Sequence, residues 1–311
     1  MLVRPREQTP LGLFFHIQGS VLSDIWPYLL GITAYSLVTA EIIQAIGVDW
    51  FDITLVPFTL IGLALSIFLG FRNNACYDRW WEARKLWGKL INTTRSLARQ
   101  TLTLLKLDAS EDPAVRDFQI EMVRRIIGYA YGLKFHLRTE VSLQAVTPWL
   151  PEEEAEALGR ENNVPYALLQ RMGERYRDAW KRGWIDPYHL RIFEETLTLL
   201  TDIQGGCERI KNTPVPLSYT VLTHRLVFVY CLALPFGITA HVGHLTPLVV
   251  LFISYAFMGL DDVGTQVEDP FELDPNDLPL AALARTIEIN LLQRIGAELP
   301  PPATPVDGIL E

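Results

Sequence analysis

Four stretches of this chain stay apolar over lengths that a water-soluble helix seldom sustains. Val21 to Val48 is almost wholly apolar, with Asp24 and Glu41 near its two ends. Ile53 to Phe71 holds no charged residue. Leu226 to Ala240 follows His224 and Arg225, and Leu245 to Leu260 again lacks charge. A helix rises about 1.5 Å per residue, so about 20 apolar residues cross a bilayer core. The first two runs reach that length, and the last two need flanking residues to complete a crossing. A charge at mid-span costs about 2.5–3.5 kcal/mol, whereas one near an end can reach water. The charges here lie near the ends. Four buried core helices of a soluble bundle are the alternative, and the length criterion favours spans over them.

Composition narrows the field further. Hydrophobic residues make up 49% of the 311 and charged residues 20%, below the roughly one quarter charged of an ordinary soluble domain. The net charge of −9 argues against a nucleic-acid partner, which would need a basic face for phosphates. Cys76, Cys207 and Cys231 are too few and too far apart for a disulfide framework or a four-thiolate zinc site, and suit a reduced, cytosol-facing setting. No cleavable signal is evident in the first 20 residues.

Lys and Arg set the expected orientation. Gly47–Asp52 and His241–His244 have neither, while Arg4 and Arg6 precede the first run and Arg72, Arg79, Arg84, Lys85 and Lys89 follow the second. The positive-inside rule then puts both termini and the long middle segment in the cytoplasm. The expected division is residues 1–20 as an N-terminal cytoplasmic segment, spans over 21–47, 53–71, 217–240 and 245–260, a cytoplasmic helical region over 72–216, and a cytoplasmic segment and tail over 261–311.

The middle region reads as helical. Phe118, Met122, Ile126, Tyr129 and Leu133 recur at spacings of three and four, as do Leu190, Phe193, Leu197, Leu200, Ile203, Cys207 and Ile210. Such stripes mark bundle core. Asp277 and Pro279 suggest a helix start before Leu280, Leu283, Ile287 and Leu291, and the proline-rich tail from Pro300 reads as an extended strap. Pro151–Glu156 reads as a solvated acidic loop or helix start. Fold class is all-α.

The second run is the most informative. Pro57 suits a first helical turn, and nothing in the sequence breaks the helix until about Leu107, so one rigid helix would leave the membrane and continue inward. Gly62, Ser66 and Gly70 form a row of small residues that lets a neighbouring helix approach. Leu63, Ile67 and Phe71 form the adjacent bulky row, about 100° round the axis. Repeated around a shared axis, that row would be a hydrophobic constriction gating by wetting. Arg72, Asn73, Asn74 and Asp78 follow as a polar vestibule able to rehydrate an ion. Lipid contact or core packing is the competing account of the bulky row.

The stretch Phe68-Leu-Gly-Phe-Arg-Asn-Asn-Ala-Cys-Tyr-Asp-Arg-Trp-Trp-Glu-Ala-Arg84 resembles the bestrophin family, in its bacterial branch. Gly19-Ser20, Asn212-Thr-Pro-Val-Pro-Leu-Ser-Tyr219 and Glu268-Asp-Pro-Phe271 agree with it in order. The resemblance runs from Arg4 to about Ile295. It implies a homopentameric ion channel in the bacterial inner membrane, with one pore on the five-fold axis and no enzymatic activity or cofactor. Its partners would be other copies of itself, membrane lipid and monovalent ions. It places the pore neck at Leu63, Ile67 and Phe71. It also implies a cytoplasmic aperture just after an Asp-Pro pair, here Asp186-Pro187, making Tyr188 the candidate.

Two departures from the family matter. Animal members, which pass chloride, have phenylalanine at the second and third neck positions; at the second, this chain has Ile67, as bacterial members do. Those resemble monovalent cation channels, so cations such as Na⁺ are the expected ions, with chloride as the alternative. Animal members also hold Ca²⁺ in an acidic clasp after the Pro-Phe pair. Here Asp274 and Asp277 match its carboxylates, but Leu273 and Pro275 interrupt the run, and Asp277 has a second account as a helix cap. No metal is expected.

Other classes fit less well. His241 and His244 are three apart, but no acidic or histidine partner accompanies them in an external turn. His16, His136, His189 and His224 are isolated. A secondary transporter would show a charged or broken helix at mid-membrane, whereas Pro235 has no carboxylate beside it and reads as a kink. A non-conducting membrane scaffold is the remaining alternative.

Overall fold

Long helices at the apolar runs dominate the chain. The structure is a computed structural model that describes residues 1, 19–47, 54–105, 112–138, 143–306 and 308–310. Arg4, Arg6, His16, the 48–53 part of the expected external turn and the expected helix end at Leu107 lie outside the described residues. The helices are α1 (Leu22–Ile46), α2 (Val56–Thr103), α3 (Pro113–Leu137), α4 (Glu152–Leu158), α5 (Val164–Lys181), α6 (Pro187–Asn212), α7 (Leu217–Val242), α8 (Thr246–Gln266) and α9 (Leu280–Ile295). Among the described residues the only strand-like feature is a bridge between Val306 and Ile309.

The chain divides into two units. One comprises Arg4–Trp80 and Pro214–Pro270; the other comprises Met1–Val3, Trp81–Thr213 and Phe271–Glu311. Helix α2 is continuous across the boundary.

In the first unit, α1 buries Ile25, Leu29, Ile32, Ser36, Thr39, Ala40 and Ile43, a three-and-four spacing that gives it one inward face. That face packs on α7 and α8. Gly47, at φ 99°, ends α1 in a conformation that residues with a side chain rarely adopt. Gly243, at φ 58°, turns α7 into α8 through the short 3-10 helix Gly243–Leu245. The core joins Leu65 and Leu69 of α2 with Val227, Cys231, Leu234, Val250 and Met258. The opposite faces carry bare apolar side chains, with Leu30, Val229 and Phe252 each at least 60% exposed. In water such surface would drive aggregation, whereas in lipid it costs nothing. Three helical stretches are long and apolar enough to cross a membrane: Leu22–Ile46, Val56–Thr103 and Leu217–Gln266. The third contains both α7 and α8, two helices packed on one another across the Gly243 turn.

The second unit is a helical bundle. Asp112 caps α3 by accepting from the Ala114 N–H, and Asn163 caps α5 by accepting from the Tyr166 N–H. The stripe Phe118, Met122, Ile126, Tyr129 and Leu133 is buried, as is Phe193 through Ile210 on α6, while Leu190 is half-buried. Tyr176 and Phe193 stack with centroids 4.2 Å apart, and the Tyr176 hydroxyl lies 2.6 Å from Thr101 Oγ1. The buried Arg125 guanidinium pairs with Glu121 at 2.8 Å and with Glu154, which also takes Arg171 at 3.3 Å. Helix α9 starts at Leu280 with no side-chain cap. Asp277 therefore does not cap it, contrary to the sequence expectation; its Oδ2 accepts from the Asp274 N–H at 2.8 Å instead. The tail over 297–305 is neither helix nor strand.

Candidate ion pathway

Helix α2 has two distinct faces along its apolar part. Gly62, Leu65, Leu69, Arg72 and Cys76 are buried. Leu63, Ile67 and Phe71 are 60%, 51% and 69% exposed. At about 100° per residue, these three centre roughly opposite the buried face. None of the three serves its own chain's core, so packing within the chain does not account for the row. Asn74 and Asp78 continue on the same exposed side.

The row of small residues divides. A Cβ at Gly62 would lie 2.5 Å from the Tyr230 hydroxyl, so α7 is already in close contact there. Ser66 is exposed, its Oγ donating to the Gly62 carbonyl at 2.8 Å, and a Cβ at Gly70 would meet nothing within 4 Å. Ser66 and Gly70 of this row thus pack against no neighbouring helix of their own chain.

The expected vestibule also divides. Asn74 and Asp78 are exposed, but Arg72 is turned away from them. Its guanidinium, 2% exposed, donates to Asp261 Oδ1 at 2.7 Å, the Asp261 carbonyl at 3.1 Å and Thr265 Oγ1 at 2.9 Å, with Glu268 Oε2 at 3.5 Å. A cation buried in apolar surroundings needs such partners. Asn73 is half-buried, and its amide donates to the Leu260 carbonyl at 2.8 Å. Arg72 and Asn73 thus hold α2 to α8 rather than facing outward with Asn74 and Asp78. Asp261 stands immediately after the fourth apolar run, and no sequence pattern singles it out as the partner of Arg72. Arg79 Nε donates to the Glu268 carbonyl at 3.1 Å, so the Arg-Trp-Trp and Glu-Asp-Pro-Phe motifs touch.

A cavity of about 470 Å³ opens beside the row, lined by Phe68, Phe71, Arg72, Val215, Tyr219 and Leu226 among others. Tyr188, in the other unit, stands at the start of α6 and is 84% exposed, with Asp186 Oδ1 accepting from its N–H at 2.8 Å. The cap fixes the backbone there and leaves the ring free.

The acidic stretch near Asp277 does not fit Ca²⁺, which takes six to eight oxygens. Asp277 is 2% exposed, one carboxylate oxygen is taken by the Asp274 N–H and the other has no partner. Among the described residues no group of three or more His, Cys, Asp or Glu is placed to hold a metal ion. Burial pushes the Asp277 carboxyl up to about 7; the Asp274 N–H opposes this, and the Asp274 and Glu272 carboxylates add to it.

A family model described as bacterial and fungal bestrophin protein matches residues 1–293. A voltage-dependent anion channel-forming protein of Mesorhizobium japonicum is 39% identical over 307 residues, 99% of this chain and 96% of the relative. One of Escherichia coli K12 is 36% identical, covering 94% of this chain and 93% of the relative. The crystal structure of a bacterial bestrophin homolog from Klebsiella pneumoniae superposes with a TM-score of 0.83 at 33% identity, covering 88% of this chain and 99% of that one.

Proposed function

The chain belongs to the bacterial and fungal bestrophin family, and from that premise we propose that it is the subunit of an ion channel that passes small anions through an apolar neck. Leu63, Ile67 and Phe71 form one wall of that neck, repeated by each copy in a homopentamer of the bacterial inner membrane. The observation that carries this reading is the exposed bulky row on α2, set opposite the face that the chain's own core uses. A closed ring of such side chains excludes water until it widens, which is how an apolar constriction gates. Four spans follow from counting α7 and α8 separately, and the Lys and Arg distribution puts both termini on the cytoplasmic side. Tyr188 forms the second narrowing, at the inner exit.

The relatives named as anion channels favour anions over the Na⁺ expected from sequence. Phe71 supports anions too, since an aromatic ring edge carries partial positive charge. One observation favours monovalent cations: Asp78 lies on the exposed side just beyond Phe71, and a ring of carboxylates would concentrate them. Reversal potentials of the reconstituted protein under asymmetric NaCl decide between the two. A value near the chloride equilibrium potential supports the anion channel, and one near the sodium potential supports the cation channel. An absence of unitary currents would leave a membrane scaffold.

A further inference from the structure

Arg72 follows Phe71 directly and is held by a buried charge cluster. Asp261 of α8 is its centre. Oδ1 takes Arg72 of α2 at 2.7 Å, and Oδ2 lies 2.9 Å from Nδ1 of His224 on α7. One carboxylate therefore joins three helices at the level where the bulky row ends. Thr265 Oγ1, the Asp261 carbonyl and Glu268 complete the set around the guanidinium. Beside it, Asn73 donates to the Leu260 carbonyl, and Gly264 leaves no room, since a Cβ there would lie 2.3 Å from Asn73 Oδ1.

Such a cluster is a poor source of stability. Taking charges out of water offsets most of their attraction, and apolar side chains of similar size often stabilise as well or better. Position is what the pair supplies. A planar guanidinium bridging several fixed acceptors allows α2 little freedom to rotate or slide against α8.

We propose that Asp261 and Arg72 are positioning residues for the neck. They fix the height and rotation of α2 at Phe71, and His224 couples α7 to the same carboxylate. Movement of α7 or α8 reaches the neck through this junction rather than through the apolar contacts above it. This rests on the neck reading given above.

Single-channel recording on Arg72→Lys, Asp261→Asn and the double variant tests the proposal, each first checked for wild-type oligomeric state. Arg72→Lys keeps the charge but loses the fork. Unitary conductance or open probability should change by about two- to thirtyfold, the range found for substitutions along a coupled network. The double variant should be no worse than the more severe single one, because both break one junction. Folded single variants with wild-type conductance and gating would overturn the proposal. Where these variants fail to assemble, His224→Ala decides, since the His224 side chain is 69% exposed and tolerates truncation. It should shift open probability in wild-type assemblies, and unaltered gating would count as refutation. A wild-type protein that conducts nothing would remove the neck reading instead. The junction is then judged by the distance between spin labels on Phe71→Cys and Leu245→Cys. A distribution shifted by Asp261→Asn supports it, and an unshifted one rejects it.

Discussion

Gly237 of α7 meets Phe58 of α2 so closely that a Cβ at position 237 would lie 2.4 Å from the ring's Cε2. The pair fixes how near the two helices come at the start of α2, as Gly62 and Tyr230 do one turn further along it. Replacing Gly237 with Ala should therefore destabilise the purified protein by about 1–3 kcal/mol through overpacking, read as a lower midpoint of thermal unfolding in detergent. Gly70→Ala provides the contrast, because its Cβ would meet nothing within 4 Å of its own chain. It should leave that midpoint unchanged or slightly raised. A larger residue there, Gly70→Leu, should reduce the oligomer fraction if a neighbouring copy uses the row.

The proposed neck residues should answer to size and chemistry. Phe71→Ala and Leu63→Ala widen the constriction and should raise macroscopic current severalfold, with a single deleted contact worth about 1–2 kcal/mol of wetting cost at the apolar scale of burial. Ile67→Phe should shift the reversal potential in a salt gradient towards the chloride value. Unaltered current and selectivity in all three would place the row off the pathway.

Glu154 anchors the buried Arg125 of the second unit. Burial alone would raise its carboxyl, but the bonds from Arg125 and Arg171 outweigh that and hold it below the usual range. A carboxyl depressed in the folded state adds stability above its unfolded pKa, and that stability is lost as pH falls through the folded value. Glu154→Gln should cost about 1.5–3 kcal/mol near neutral pH, as for other hydrogen bonds to charged groups. The cost should shrink on acidification below about pH 4, near the reference value for glutamate. A cost independent of pH would show that the pairing is not what stabilises this corner.

Asp277 has the opposite sign. Its carboxyl is pushed up to about 7 in the folded chain by burial and by its acidic neighbours, against the pull of the Asp274 N–H. The stability tied to it is full below the unfolded value of about 3.9 and is lost as pH rises to about 7. Asp277→Asn keeps an oxygen for the Asp274 N–H and removes the charge. It should raise the unfolding midpoint at pH 7.5 and leave it nearly unchanged at pH 4. Equal effects at both values would contradict the assignment.

Sequence alone was sufficient where a physical constraint acts along the chain. The length of the apolar runs, the three-and-four stripes on α3 and α6 and the small and bulky rows of α2 all obey helical periodicity, which a sequence displays directly. What it hid were pairings set by the third dimension. Arg72 read as a vestibule residue because polarity after an apolar run suggests water; its partners Asp261 and Glu268 lie almost 200 residues away. Asp277 read as a helix cap because its spacing from Leu280 suits one, yet its carboxylate bonds back to Asp274. The division of the small row between Gly62 and Gly70 depends on where Tyr230 sits, and no local pattern encodes that.

Thiol modification of Ile67→Cys during current recording tests the central claim most directly. The native cysteines are all buried, so a charged, water-soluble methanethiosulfonate should react at position 67 and at no native thiol. Current should fall steeply after modification, stay low on washout and recover when a thiol reductant cleaves the mixed disulfide, while Leu65→Cys, on the buried face, should be unaffected. Labelling of position 67 confirmed by mass, with current unchanged, would contradict the account.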